Sequence, residues 1–578
     1  MFAAAPLTGG VLLTGPLLSP IVLGAFAVFL IGYLYYSRRV AGPYELDDHR
    51  ETPAQKVNDG VDFVPTPWPV LLAQHFAAIS AAGPVVGPIL AGTGFGWGPA
   101  LIWIVVGAVL VGAVHDFSTL VASVRHRACS IPEVVRQHVG SGAFWILMTF
   151  IWLSLMYVLV AFVDVTASQF LVTSIPGSSA NGGSVATSSI LYLVLAVLMG
   201  FCTEKLKMKF GLATAIFVPL LFASVWVGQY IPLPLGFGLG IPDGRVWAAL
   251  ILVYCAVASV LPMWALLQPR GYLGGLFLYV ILIAGVLGMI VGGFHVEAPA
   301  FIGLSNAQGL PLFPFLFVTI ACGACSGFHG LVASGTTSKQ VACESHMRHV
   351  GYGAMILEGV IAVTALATIM IVAKAPGDPT VAFAGGLAQF FGALGIDPGF
   401  GAAFGMLAFA TFVFDTIDVA TRMGRYLLDE LLGFAGKRRV LGTVLTLALP
   451  ALYLVFVPEA HDDAGKPIPA WRVIWTVFGA SNQLLAALSL TAIVAWLAAE
   501  GRSYRYLLLP TGFMLVMTAW ALGAMAMPAL SFLGGGGPMT IKIINGFVAA
   551  GLLILGVVFL ALVIRSRTSK QHATVTTA

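Results

Sequence analysis

The chain has 578 residues, of which 59% are hydrophobic and only 9% are charged, with a formal net charge of +4 and a mean hydropathy of +0.96. Soluble domains carry roughly 25% charged residues, so this composition excludes a soluble globular protein and indicates a polytopic membrane protein. The small positive charge is spread over short loops and does not indicate nucleic-acid binding.

About fifteen apolar runs are long enough to cross a bilayer, which takes about 20 helical residues. In chain order they are 17–36, 68–91, 98–124, 142–174, 187–202, 209–231, 246–267, 272–294, 313–335, 350–374, 400–421, 440–457, 472–497, 506–528 and 541–564. The run 17–36 is predicted to be an extra N-terminal helix. Residues 440–564 are predicted as peripheral membrane helices and 565–578 as a cytoplasmic tail.

The distribution of basic residues predicts the orientation, because Lys and Arg concentrate on the cytoplasmic side. An external N-terminus places nearly all of the 28 lysines and arginines inside. The exceptions are Arg245, Lys374, Lys466, Arg472 and Lys542. The C-terminus is then cytoplasmic.

Two of the apolar runs are interrupted by proline. Run 68–91 contains Ala81, Ala82, Gly83 and Pro84, and run 246–267 contains Ser259, Leu261, Pro262 and Trp264. Proline removes a backbone donor and clashes with the preceding turn, and glycine makes unwinding less costly. The two runs are five spans apart and therefore cross in opposite directions. Broken helices at matching positions of two inverted halves indicate a transporter site at the midplane, although ordinary proline kinks are the simpler alternative.

Six stretches resemble the carbon starvation protein A (CstA) family, and the resemblance runs from about residue 20 to 500. They are 74–88 (QHFAAISAAGPVVGP), 112–117 (GAVHDF), 261–270 (LPMWALLQPR), 319–339 (TIACGACSGFHGLVASGTTSK), 412–422 (FVFDTIDVATR) and 475–486 (WTVFGASNQLLA). Cys325 stands where an aliphatic residue is usual in the family, and Ser338 where proline is expected. These two departures lie next to the candidate site.

The resemblance implies a secondary transporter of the bacterial inner membrane that belongs to the amino acid–polyamine–organocation superfamily and has a LeuT-like fold. Its two inverted five-helix repeats would span 68–231 and 246–421. Family members are linked to alternating-access uptake of short peptides or pyruvate in carbon starvation, with proton coupling attributed to the pyruvate members. The sequence has no HExxH or GxSxG motif and no soluble output domain, so an enzyme is not expected, nor is a cofactor or a resident metal.

A LeuT-like fold predicts which residues line the substrate site. The candidates are Ala81, Ala82, Gly83, Pro84, Tyr157, Ser259, Leu261, Pro262, Trp264 and Ser326. Unwound backbone at 81–84 and 259–264 offers N–H groups for a carboxylate of pyruvate or of a peptide. Trp264 either walls the pocket or packs at the lipid interface.

A second set of polar residues is predicted to bind the coupling proton or sodium ion. The candidates are Asp164, His329, Ser334, Thr336, Thr337, Asp415 and Asp418. Hydroxyl oxygens suit sodium, whereas an imidazole exchanges a proton near neutral pH. Structural pairing is the alternative for Asp164, a hydrogen bond to a backbone carbonyl for His329, and a static pair or gate with Arg422 for Asp418.

The remaining intramembrane polar residues are expected to be structural. His115, Asp116 and Glu358 lie on predicted scaffold helices, and Asn482–Gln483 is predicted to join helices outside the ten-helix core. A sodium-coupled amino-acid or metal-ion carrier of the same fold is the alternative function. A metal carrier would need Asp, His, Met or Cys at both breaks, and only Met263 qualifies.

Overall fold

The computed structural model describes residues 15–59, 63–175, 180–234, 236–433, 438–457, 460–461, 467–535 and 540–576. The first helices are α1 (Leu18–Tyr44), α2 (Pro53–Val57), α3 (Trp68–Ile79), α4 (Gly83–Phe95), α5 (Trp97–Arg125), α6 (Ile131–His138), α7 (Ser141–Phe170), α8 (Gly182–Glu204), α9 (Phe210–Tyr230) and α10 (Asp243–Val260). They are followed by α11 (Leu267–Val291), α12 (Leu312–Thr319), α13 (Gly327–Gly335), α14 (Arg348–Met370), α15 (Pro379–Ala393), α16 (Pro398–Leu431), α17 (Arg439–Phe456), α18 (Ala470–Ala499), α19 (Arg505–Gly535) and α20 (Ile541–Thr576). Lys437, one of the lysines predicted on the cytoplasmic side, and Lys466, predicted on the external side, lie outside the described residues.

Within the described residues the fold is all-helical and polytopic, as predicted, apart from two antiparallel strands of two residues each, in which Ala460–His461 pairs with Pro467–Ile468. Within the described residues, thirteen helices are long and apolar enough to cross a membrane, and the bent pair α3–α4 makes a fourteenth candidate. The run predicted at 313–335 instead forms two helices, α12 and α13, of 8 and 9 residues. Each spans roughly 12 to 14 Å of a core about 30 Å thick, so the count of fifteen spans stays a prediction.

Burial divides the helices into inner and outer ones. An 18-residue apolar stretch of α16 is 94% buried within the protein, against 28% in α9 and in α1. Helices α14, α18 and α7 are buried almost as thoroughly as α16. The polar residues of α5, α13, α14 and α16 therefore lie inside the protein, away from lipid.

The first predicted helix break is confirmed between α3 and α4. Helix α3 ends at Ile79, α4 begins at Gly83, and their axes differ by 50°. Pro84 has no N–H to donate to the Ser80 carbonyl, and its ring would clash there in a continuous helix. The chain therefore leaves the helix at Ser80.

The second break lies elsewhere than predicted. Helix α10 runs without interruption to Val260, and Pro262 lies in the connection to α11. The prediction of a broken helix at 246–267 is therefore wrong. The interruption falls instead at residues 320–326, between α12 and α13, where the sequence predicted one continuous helix.

The two broken helices run antiparallel. Thr66, just before α3, donates its backbone N–H to the Gln340 carbonyl beyond α13 at 3.0 Å. At the opposite end, Ile302 before α12 donates to the Phe95 carbonyl at the end of α4, also at 3.0 Å. The breaks in their middles consequently face each other.

Gly87→Ala is expected to destabilise the protein, because glycine allows α4 to approach the second break. A Cβ at residue 87 would lie 2.6 Å from the Thr319 carbonyl oxygen and 3.2 Å from Ile320 Cα. Backbone atoms cannot rotate away as a side chain can, so we expect the free energy of unfolding to fall by about 1–3 kcal/mol. The measurement is the melting temperature of the purified variant.

Gly94→Ala is the matched control on the same helix. Its nearest neighbour would be Asn306 Cβ at 3.4 Å, an ordinary contact. This variant should melt at or slightly above the wild-type temperature, since alanine favours helix. Equal melting temperatures for the two variants would contradict the close approach of α4 to the break.

Candidate functional site at the paired helix breaks

The two breaks touch each other at Gly83. A side chain at this position would overlap the Cys322 side chain, because Gly83 packs directly on the unwound segment between α12 and α13. Ala81 and Ala82 are buried, at 2% and 0% exposure, and Pro84 is buried beside them. The candidates at residues 81–84 are thus brought against residues 320–326, and not against Ser259 or Pro262.

Side chains from other helices satisfy the backbone at the end of α12. The Trp475 indole donates to the Thr319 carbonyl at 3.2 Å, and the Trp103 indole donates to the Ile320 carbonyl at 3.3 Å. The Gln483 amide donates to the Phe317 carbonyl at 2.9 Å. Carbonyls at a helix end have no intrahelical partner, so these three donors make the break stable in the membrane interior.

Asn482 caps the start of α13. Its side-chain oxygen accepts from the Phe328 backbone N–H at 2.9 Å, and its amide donates to the Ser326 hydroxyl at 2.9 Å. The prediction that Asn482 and Gln483 join helices is therefore confirmed, because both side chains bind the break between α12 and α13 from α18. Only the tertiary structure brings α18 to the break, although two amide side chains inside an apolar run already signal a buried polar contact.

A small cavity adjoins this cap between α7, α13 and α18. Ser154, Phe328, Ser481 and Asn482 are among the residues that line it. The Ser154 hydroxyl is buried and has no hydrogen-bond partner among the described residues. The cavity thus combines an apolar wall with hydroxyl and amide groups at a helix N-terminus.

A cluster of four ionisable side chains connects α13 to α5 and α14. His329 Nδ1 is 2.8 Å from Asp116 Oδ2, and His329 Nε2 is 3.2 Å from Glu358 Oε2. His115 Nδ1 is 2.7 Å from the other oxygen of Asp116. All four side chains are fully buried. Ionisable side chains of three helices, α5, α13 and α14, are therefore in contact, about one helical turn from the N-terminus of α13 that Asn482 caps.

His329 Nε2 and both Glu358 oxygens have no hydrogen-bond partner among the described residues, so a proton shared across their 3.2 Å contact would satisfy them. Both imidazoles donate Nδ1–H to the Asp116 carboxylate if it is ionised. His329 Nε2 then faces a Glu358 carboxylate oxygen. Without a proton between these two atoms, the lone pair of the nitrogen would repel the lone pairs of the oxygen. Removing that proton would leave two acceptors in contact in a medium that screens charge poorly.

Other coupling candidates lie in separate surroundings. Thr337 is 2.9 Å from His75 Nδ1, which ties the chain beyond α13 to α3. Ser334 and Thr336 donate to carbonyls of their own helix, at 2.7 and 3.1 Å. Asp164 accepts from the Trp471 backbone N–H at 2.8 Å, so it caps the start of α18.

Asp415 and Asp418 form a second buried network with Arg270. The Arg270 guanidinium contacts both carboxylates, and the Tyr254 hydroxyl donates to Asp418 at 2.7 Å. The predicted pair of Asp418 with Arg422 is wrong. Arg422 donates instead to the Ala258 and Leu261 carbonyls at the end of α10, at 2.9 and 3.0 Å, where a cation stabilises the helix dipole.

The remaining substrate candidates are dispersed over the protein. Ser259 is hydrogen-bonded to Thr443 at 3.1 Å, and the Tyr157 hydroxyl donates to Asn545 on α20 at 3.2 Å. Pro262 is exposed, and the Lys205 ammonium lies 5.1 Å from the centre of the Trp264 ring. Of the predicted substrate residues, the structure therefore gathers Ala81–Pro84 and Ser326 at the breaks.

Polar groups gathered at two touching helix breaks inside a polytopic protein are typical of membrane transporters. The chain belongs to the carbon starvation protein CstA family, whose model matches residues 19–376 and 372–521. The family and its named relatives are transporters, and the chain is accordingly a multi-pass membrane transporter of a small molecule.

Curated relatives match along most of their length. The pyruvate/proton symporter BtsT of Escherichia coli K12 is 31% identical over 87% of this chain and 81% of its own. The peptide transporter CstA of the same strain is 31% identical over 87% and 80%. The peptide transporter CstA of Mycobacterium tuberculosis H37Rv is 32% identical over 83% and 71%.

Solved structures of a manganese transporter from Eremococcus coleocola also match. One covers 88% of this chain and 98% of its own, with 14% identity and a TM-score of 0.45. A likeness at this level carries no argument about fold or cargo.

Proposed function

We propose that this chain is a secondary active importer of pyruvate or a short peptide, driven by protons and working by alternating access during carbon starvation. The observation that carries this proposal is the proximity of two kinds of site. The N-terminus of α13, which Asn482 caps, suits a substrate carboxylate. The charged cluster around His329, the third residue of α13, suits a proton.

Substrate binding would use the start of α13 and the adjacent cavity. A carboxylate would replace the Asn482 oxygen as acceptor of the Phe328 N–H, and the Ser326 and Ser154 hydroxyls would become further donors. Both pyruvate and a peptide C-terminus present such a carboxylate. The cavity has a volume of about 10 Å³, room for about one water molecule, so α7, α13 and α18 would have to move apart to enclose the rest of a small substrate.

Proton coupling would use the contact between His329 and Glu358. With the proton present, α13 is held to α14 and, through Asp116, to α5. Loss of the proton would set His329 Nε2 against the Glu358 carboxylate and favour separation of these helices. Because His329 is the third residue of α13, this movement would also displace the Asn482 cap. Sodium coupling, with hydroxyl ligands such as Ser334, Thr336 and Thr337, is the competing hypothesis.

The fold proposal is a LeuT-like pair of inverted repeats with revised limits. The first repeat would run from α3 through α11 (68–291) with α8 and α9 inserted, and the second from α12 through α18 (312–499). Each repeat would begin with a broken helix and then a long helix. A short helix follows, α6 in the first repeat and α15 in the second, and then a helix of 30 residues (α7) or 34 residues (α16). Helix α1 remains an extra helix, and the side rich in Lys and Arg is assigned to the cytoplasm, with the N-terminus outside.

Uptake into proteoliposomes tests the transport proposal. Vesicles with an alkaline interior should accumulate labelled pyruvate, or a labelled dipeptide, and a protonophore should abolish the accumulation. A sodium gradient at equal pH should drive none. Accumulation that follows only sodium would refute proton coupling, and no accumulation of either substrate under any gradient would refute the importer itself.

Asn482→Asp is expected to raise the KM for pyruvate by at least about tenfold. The variant places a fixed carboxylate where the substrate carboxylate is proposed to bind, and a repulsion of about 1.4 kcal/mol gives that factor. The aspartate still accepts the Phe328 N–H, so α13 stays capped. The measurement is the concentration dependence of uptake, with the melting temperature as a check of folding.

Asn482→Ala separates the two roles of this side chain. It removes the cap, so the free energy of unfolding should fall by about 1 kcal/mol and the melting temperature should fall with it. The KM should rise less than in the aspartate variant. An unchanged KM in Asn482→Asp would place the substrate carboxylate elsewhere.

A further inference from the structure

A second cavity, remote from the breaks, lies between the end of α1 and the start of α14. Its volume is about 360 Å³, and Arg38, Gly42, Ser345, Arg348 and His349 are among its lining residues. It contains none of the residues assigned above to substrate or proton binding. Its chemistry therefore points to a different ligand.

The cavity presents two arginines without a carboxylate partner. Within the described part of the chain, no Asp or Glu forms an ion pair with Arg38 or Arg348. Arg348 donates to the Ser37 hydroxyl at 3.2 Å and lies 5.6 Å from the centre of the Tyr33 ring. The carboxylate of the cavity, Glu45, is paired with Arg502 at 3.2 Å. The lining therefore holds two arginines and one carboxylate that is already paired, and Asp48, which is not a lining residue, accepts from the Ser345 backbone N–H at 2.8 Å.

One wall of the cavity is a widened helical turn. Helix α14 begins with a π-helical turn at Arg348–Tyr352, whose Arg348 and His349 line the cavity, and α1 has another at Gly32–Tyr36, just before the lining residue Arg38. The Tyr33 hydroxyl and His349 Nδ1 join the two turns at 2.5 Å. Such turns occur frequently at functional sites. Their pairing shapes the cavity between the helices.

An apolar strip leads along α1 to the mouth of this cavity. Leu34 and Tyr35 precede Arg38 by four and three residues, so they share its face of the helix. They are 38% and 66% exposed, and Ile31 one turn earlier is 57% exposed. A ligand with an anionic head and an apolar tail would match the arginines and the strip together, whereas a soluble phosphate would use only the arginines.

We propose that this cavity binds the headgroup of an anionic phospholipid, with the phosphate between Arg38 and Arg348 and an acyl chain along Leu34 and Ile31. Basic pockets at the ends of membrane helices recognise such headgroups. Arginine forms paired hydrogen bonds to phosphate oxygens. The bound lipid would bridge α1 and α14.

Equilibrium binding of fluorescent phosphatidylglycerol to the full-length protein in detergent tests this site. Arg38→Gln and Arg348→Gln should each weaken binding about fivefold, the effect of roughly one basic residue at a membrane surface. Arg39→Gln is the matched control, because Arg39 is exposed on the next residue but does not line the cavity. Its binding should stay within twofold of wild type, and labelled phosphatidylcholine should not discriminate among the variants.

Two results would overturn the proposal. Equal weakening by Arg39→Gln would show attraction to surface charge in general. Full displacement of the lipid by millimolar inorganic phosphate or glycerol phosphate would identify a soluble anion as the ligand. Arg38→Lys, which keeps the charge, should bind more tightly than Arg38→Gln, so a loss caused by misfolding is distinguished from a loss of phosphate contact.

Discussion

The cost of holding charge inside a membrane governs the arrangement around His329. A buried carboxylate is stable only when it is paired or neutralised. Asp116 is paired with His115 and His329, and Glu358 lies 3.2 Å from the same His329 imidazole. His329 therefore links α5, α13 and α14. Any change in the number of protons in this cluster changes what holds these helices together.

The helix break depends on a related constraint, because unpaired backbone groups are also costly where no water is available. Trp103, Trp475 and Gln483 satisfy the carbonyls at the end of α12, and Asn482 satisfies the start of α13. Three of these four side chains, Trp475, Asn482 and Gln483, come from α18. That helix consequently stabilises the break, and a substrate that replaces Asn482 at the Phe328 N–H would remove one of its hydrogen bonds.

The sequence indicates features whose cause is local and misses those whose cause is tertiary. Apolar runs predict the helices, and Pro84 with Gly83 predicts the first break, because proline acts within one turn. The second break contains no proline and is made stable by residues of α5 and α18, so no local pattern reveals it. Pro262 misleads because proline is equally compatible with a connection between helices. His329 is recognisable as an intramembrane histidine, but its partners Asp116 and Glu358 come from helices that the sequence assigns to the scaffold.

A comparison of gradient-driven uptake with exchange in Glu358→Gln proteoliposomes tests proton coupling at His329 most directly. The glutamine amide can donate permanently to His329 Nε2, as a protonated Glu358 would, so the proton can no longer leave this contact. Labelled pyruvate or dipeptide is expected to exchange at equilibrium but no longer to accumulate under a pH gradient. Asp164→Asn, which changes an intramembrane carboxylate outside the cluster, is expected to retain both. Wild-type accumulation by Glu358→Gln would contradict the assignment of proton coupling to His329 and Glu358.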